Sequence, residues 1–161
     1  MSDKLLKAIQ LRKENKPDQA MLLLQELLNS NPDDPNINYQ MAWTCDFIGK
    51  ESEAVPFYKK AIDKGLSGED RKGAILGLGS TYRCLGEYEK SLKIFDQAVV
   101  EFADDRSLKV FRALTLFNLG KYEDSVGELL LQLLDATNDQ SIKLYDKALR
   151  FYSNKLNEAW K

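Results

Sequence analysis

Four tight-turn residues, each about one helical hairpin from the next, constrain this chain more than any other feature. Gly120 follows Gly86 by 34 residues, Gly49 precedes Gly86 by 37, and Asn15 precedes Gly49 by 34. Glycine and asparagine tolerate the left-handed backbone that ends a helix. The neighbours of each anchor fall into columns. Seven residues before lie Ala8, Ala42, Gly79 and Ala113, and five after lie Ala20, Ala54, Ser91 and Ser125, all small. Four before lie Leu11, Cys45, Tyr82 and Leu116, and nine after lie Leu24, Tyr58, Phe95 and Leu129, all able to fill a core. Twelve after lie Leu27, Ala61, Ala98 and Gln132, where the last breaks the column. Small residues let two helix axes approach closely and bulky ones fill the space between them. Each unit is therefore a helix–turn–helix hairpin. It cannot bury its apolar face alone and must stack on its neighbours.

The periodicity predicts an all-α chain of four such hairpins. Helix pairs are expected at 4–14 and 17–30, 36–48 and 52–64, 70–85 and 88–102, and 105–119 and 122–134. A last helix is expected from Asn138 or Asp139 to about residue 160, striped by Ile142, Tyr145, Leu149, Tyr152, Leu156 and Trp160. It would close the array as a cap. The expected repeats are 1–34, 35–68, 72–105 and 106–139 in a single array, with the capping helix at 139–160. Asp34 is placed to cap a helix with Pro35 at its first position. Gly65 to Gly68 reads as a loop, and the extra residues of the longer spacing fall between about Ser67 and Arg71. The acidic pairs Asp33-Asp34, Glu69-Asp70 and Asp104-Asp105 read as N-caps rather than as metal ligands.

Leu78-Gly79, Tyr82, Gly86, Tyr88, Phe95 and Ala98 resemble the tetratricopeptide repeat (TPR) family, and Ala42, Gly49, Ala54, Tyr58 and Ala61 repeat the pattern. The resemblance covers about residues 1 to 139. It departs at Pro17 and Glu51, which stand where Tyr88 and Tyr122 carry the aromatic, and at Gln132. The resemblance implies a right-handed superhelix with a concave groove, and protein or peptide binding rather than catalysis. As a stand-alone module, the expected reading, the chain resembles small bacterial-type members of the family. Co-chaperone members hold a C-terminal carboxylate with Lys, Asn and Arg. The corresponding places here carry Leu5, Ile9, Gly73 and Gly77, so that clamp is absent.

The face that lines the groove in the family lies opposite the packing face of each first helix. It carries Leu5, Ile9, Arg12 and Lys13, then Tyr39, Trp43, Asp46 and Phe47, then Leu76, Ser80, Arg83 and Cys84, then Val110, Leu114, Phe117 and Asn118. Tyr39, Trp43, Phe47, Leu76, Ser80, Arg83, Val110, Leu114 and Phe117 are the expected peptide contacts, and Leu144 and Phe151 extend the face into the last helix. So apolar a face suits an amphipathic helix or an extended peptide with apolar anchors. The plain alternative is that adjacent helices bury these residues against each other, or that the last helix or a second copy fills the groove. Arg12, Lys13 and Arg83 offer cations to a ligand carboxylate, although scattered basic residues are more often solvated. Cys45 reads as a core filler and Cys84 as a buried, inert thiol rather than a reactive one.

Other function classes find little support. The chain has no histidine, so it lacks the usual general base and the commonest metal ligand. It has no phosphate-binding glycine loop and no nucleophile elbow. No enzymatic role, no metal and no cofactor are expected. A net charge of −2 without a long basic block argues against nucleic acid and anionic membranes as partners. Two isolated cysteines and a charged N-terminus without an apolar signal core point to the cytoplasm. The expected partner is another protein or peptide. A homodimeric scaffold, built on the apolar arcs Met21 to Leu28 and Val126 to Leu134, and a chaperone-like holder are the alternatives.

Overall fold

The computed structural model describes residues 2–160. Its elements are α1 (Asp3–Lys13), α2 (Pro17–Ser30), α3 (Pro35–Phe47), α4 (Glu51–Asp63), α5 (Gly68–Cys84), α6 (Tyr88–Glu101), α7 (Arg106–Asn118), α8 (Tyr122–Ala136), α9 (Gln140–Lys143) and α10 (Asp146–Tyr152). Among the described residues there is no strand. The chain divides into two compact units, Met1–Glu87 and Tyr88–Lys161, with the boundary in the turn of the third hairpin.

Each anchor adopts the left-handed backbone that the spacing requires, with φ of +59° at Asn15, +72° at Gly49, +76° at Gly86 and +73° at Gly120. The next residue's N–H then donates back across the turn to the carbonyl four before the anchor. These bonds are Lys16 to Leu11 at 2.9 Å, Lys50 to Cys45 at 2.9 Å, Glu87 to Tyr82 at 2.9 Å and Lys121 to Leu116 at 3.0 Å. This is the closure that satisfies the last carbonyls of a helix while turning the chain away from its axis. The starts of α3, α7 and α9 use aspartate side chains. Asp34 accepts from the N–H groups of Asn36 and Ile37 at 2.8 and 3.0 Å, with Pro35 behind it at the first position. Asp105 accepts from Leu108 N–H at 3.2 Å, and Asp139 from Ser141 and Ile142.

In the first unit α1 packs on α2, α2 on α3, α3 on α4, and α4 on α5. The small columns sit at these crossings: Ala8, Ala20, Ala42, Ala54 and Ala61 are buried, with Leu24 and Tyr58 between them. Asp33 lies outside this core and bridges Lys60 and Lys64 of α4 at 2.9 and 2.8 Å. The hydrogen bonds from Lys64 and Lys60 hold its carboxyl down at about 2. In the second unit α6 packs on α7, α7 on α8, and α8 on α10. Phe95, Ala98, Leu108, Ala113 and Leu116 form the core. The Ser91 and Thr115 hydroxyls share a hydrogen bond of 3.0 Å inside it. Arg112 ties α6, α7 and α8 together, donating from Nε to Asp96 at 2.6 Å and from Nη1 to Glu128 at 2.7 Å.

Three expectations need correction. The extra residues of the longer spacing do not form a loop. They add a turn to the start of α5, which has 17 residues where α3 and α7 have 13. Glu69 and Asp70 accordingly lie in the first turn of α5, and its N-cap Ser67 makes no side-chain capping bond. The C-terminal segment is not one helix to residue 160. It bends after α9, where Tyr145 N–H bonds Ile142, three residues back. It leaves the helix at Ser153, whose hydroxyl donates to the Arg150 carbonyl at 2.8 Å, a side-chain bond that competes with the helical ladder. The Ser153 carbonyl sits against Gly127 of α8, so closely that a Cβ there would lie 2.1 Å from it. The cap on α8 is thus the short α10.

Gly77 shows how tight the first unit is. A Cβ at that position would lie 2.5 Å from Cζ of Tyr58. The Tyr58 ring is buried and its hydroxyl is held by Asp46 at 2.8 Å, so it has little freedom to yield. Gly77→Ala is expected to cost about 1–3 kcal/mol, the usual range for overpacking a filled core. Chemical denaturation checks this, and a loss within about 0.5 kcal/mol would show that the ring can move aside.

Candidate functional site

In the first unit, α3 carries Tyr39, Trp43 and Phe47 four residues apart on one stripe. They differ in exposure, and the difference defines the site. Tyr39 is only 6% exposed, whereas Trp43 is 45% and Phe47 49% exposed. Gly73 of α5 explains the burial, because a Cβ there would lie 2.3 Å from the Tyr39 hydroxyl. The glycine leaves room for the tyrosine to settle against α5. Tyr39 is therefore the floor of this face and not one of its contact residues. It stacks on Trp43 with ring centroids 5.8 Å apart and tilts against Tyr58 at 6.3 Å.

Arg12 of α1 lies beneath the same tryptophan. Its guanidinium carbon is 4.1 Å from the centre of the Trp43 ring, a cation–π contact. Nη1 donates to the Gln40 carbonyl and the Thr44 hydroxyl at 3.1 Å each, and Nη2 donates to Gln40 Oε1 at 2.7 Å. Arg12 is 4% exposed and burial lowers its pKa. The residue expected as a solvated groove cation is instead a buried tie between α1 and α3. Lys13 is exposed. On α5, Leu76, Ser80 and Arg83 are half-buried, and Arg83 is held by further interactions.

Asp46 is the functional-face residue whose role sequence reasoning misses. It accepts hydrogen bonds from the Tyr58 hydroxyl at 2.8 Å and from the Thr81 hydroxyl at 2.9 and 3.0 Å. One carboxylate thus joins α3, α4 and α5 below the aromatic stripe. Burial raises its pKa, against the pull of those two hydroxyls. The available signal was an acidic residue placed between two large aromatics, Trp43 and Phe47, on a packed helix.

In the second unit, Leu114 and Phe117 of α7 are exposed and Val110 is half-buried. Phe117 packs edge-on against Tyr122 at 5.1 Å. Leu144 is exposed, and Phe151 clusters with Tyr152 and Trp160 at 5.4 and 6.1 Å. Cys45 is buried, and desolvation pushes its thiol up to about 11. Cys84, expected to be buried, is exposed. Among the described residues, no group of three or more His, Cys, Asp or Glu side chains is placed to hold a metal ion, and no helix is long and apolar enough to cross a membrane.

Comparison with known proteins places this architecture. A family model described as Tetratrico peptide repeat matches residues 35–156. The chain belongs to the tetratricopeptide repeat family. The match begins at α3 and leaves out the first hairpin, the copy that departs furthest from the pattern. Among solved structures, YrrB, described as a TPR protein with an unusual peptide-binding site, superposes with a TM-score of 0.73 at 16% identity, over 96% of this chain and 77% of that one. MamA from Desulfovibrio magneticus RS-1 superposes with a TM-score of 0.68 at 15% identity, over 99% of both chains. Superkiller protein 3 of Saccharomyces cerevisiae is 24% identical over 95 residues, which are 59% of this chain and 6% of that protein. The chain thus spans a small fraction of that curated relative. At these identities the structural likenesses show the fold.

Removing the Asp46 carboxylate leaves the Tyr58 and Thr81 hydroxyls without their acceptor inside the first unit. Asp46→Ala is expected to lower stability by about 1–3 kcal/mol. Circular dichroism melts of the wild type, Asp46→Ala and Tyr58→Phe check it, with Tyr58→Phe the milder change because it removes only one donor.

Proposed function

We propose that the protein binds an apolar or amphipathic segment of another protein, without catalysis, through the first helices of its hairpins. Members of the family are protein–protein interaction scaffolds, and the observation that carries the finer reading lies on α3. Trp43 and Phe47 stay half in solvent, one turn apart, above a tyrosine floor and a buried arginine. The fold needs Tyr39, Arg12 and Asp46 for its packing and hydrogen bonds, but it leaves the outer faces of Trp43 and Phe47 unused. Rigid aromatic side chains of this kind act as binding anchors because they bury a large area for little lost entropy. Leu76, Ser80 and Arg83 of α5 complete this surface in the first unit. Leu114 and Phe117, with Val110, are the corresponding contacts proposed in the second.

A second reading, a self-associating scaffold, has its own observation. Leu144, Tyr145, Phe151, Tyr152 and Trp160 leave the outer side of the C-terminal cap apolar and exposed, where terminal elements of repeat arrays usually carry polar residues.

The test compares proteins captured from an extract by the wild type, by Trp43→Ala/Phe47→Ala and by Leu114→Ala/Phe117→Ala. Specific partners are expected to be lost with the aromatic pair while the helical circular dichroism signal is unchanged. Identical partner sets from all three baits would overturn the proposal. Loss of capture with the cap variant Phe151→Ala/Trp160→Ala alone would favour the second reading.

A further inference from the structure

Arg12 is buried, and among the described residues no carboxylate forms an ion pair with it. Its acceptors are the carbonyl and side-chain oxygens of Gln40 and the hydroxyl of Thr44, all neutral. The Tyr39 and Tyr58 phenols also interact with it, and burial raises the pKa of both, so they are neutral. Asp46, the carboxylate nearest in sequence on α3, is committed to Tyr58 and Thr81. Buried charges in proteins are ordinarily paired, because an isolated one carries a large desolvation penalty. The half-buried Arg112 follows that rule, paired with Asp96 and Glu128. Arg12 departs from it at the place where Trp43 and Phe47 are left open.

We propose that the segment bound on this face carries an aspartate or glutamate side chain that seats over Arg12, flanked by apolar side chains on Trp43 and Phe47. The inference rests on reading that face as a binding surface. The guanidinium has five N–H donors, and three bonds are already made to Gln40 and Thr44. The donors left over suit one carboxylate, the planar partner that arginine binds best. Because Arg12 is only 4% exposed, the ligand reaches it with the tip of a side chain passing the edge of Trp43. A carboxylate at a chain terminus would have to bring its own backbone down with it. The pairing would supply specificity. The aromatic pair accepts many apolar sequences, whereas an uncompensated cation beneath it rejects a segment that brings lysine or arginine to the same position.

The experiment uses a random peptide library displayed with its C-terminus fused, selected on the full-length chain and on Trp43→Ala/Phe47→Ala. Peptides that require the two aromatics are expected to share one acidic position. Replacing that residue by its amide should weaken binding to the wild type by about tenfold or more, and should make little difference to Arg12→Gln. Peptides that require Trp43 and Phe47 but share no acidic position overturn this inference and leave the binding face intact. Peptides that bind the double variant equally well overturn both. If Arg12→Gln does not fold, the wild type alone decides. The advantage of the acidic peptide over its amide must shrink as salt rises, and an acidic peptide with no advantage at low salt contradicts the proposal.

Discussion

Everything in this fold depends on how a helix is made to stop. At Asn15, Gly49, Gly86 and Gly120 the backbone turns left-handed, and the N–H that follows bonds the carbonyl of the residue four before the turn. That residue is Leu11, Cys45, Tyr82 or Leu116, a member of the core-filling column. The same position therefore closes the turn with its carbonyl and fills the space between helices with its side chain. A residue with a Cβ pays strain in the left-handed region. This is why three of the four anchors are glycine and the fourth is asparagine.

With the turns set, the small residues decide how close the helices come. In the first unit the approach is close along α5, where Gly73 and Gly77 receive the phenol ends of Tyr39 and Tyr58. The Tyr58 hydroxyl and the neighbouring Thr81 hydroxyl are then satisfied by Asp46. From the other side Arg12 braces α3 through Gln40 and Thr44. Trp43 rests on this assembly with its outer face free. The exposed aromatic surface is a consequence of a packed, hydrogen-bonded layer beneath it. A floor of this kind gives a binding face rigidity before any ligand arrives, which reduces the entropy lost on association.

The spacing of the anchors and columns made the eight hairpin helices legible to within a residue or two, because each boundary has a local cause. Asp34 with Pro35 starts α3, and Gly49 ends it. The face residues were less legible. A helical wheel shows that Tyr39, Trp43 and Phe47 share a stripe, but the burial of Tyr39 alone is decided by a glycine 34 residues away on another helix. Arg12 and Asp46 were misjudged for the same reason: their partners lie on helices that the wheel does not show. The C-terminal segment has an unbroken apolar stripe, yet its helix ends at Ser153. What ends it is a hydroxyl bond to Arg150 and a carbonyl seated on Gly127, neither of which periodicity registers.

The central claim is that Trp43 stands open to solvent directly above an unneutralised buried cation. The chain has two tryptophans, so Trp160→Phe leaves Trp43 as the single reporter. Fluorescence quenching by iodide and by caesium then reads its access and the sign of the local charge together. The account predicts strong quenching by iodide, weaker quenching by caesium, and a difference that narrows when Arg12→Gln is added. A Trp43 shielded from both ions, or quenched equally by both with Arg12 in place, would contradict it.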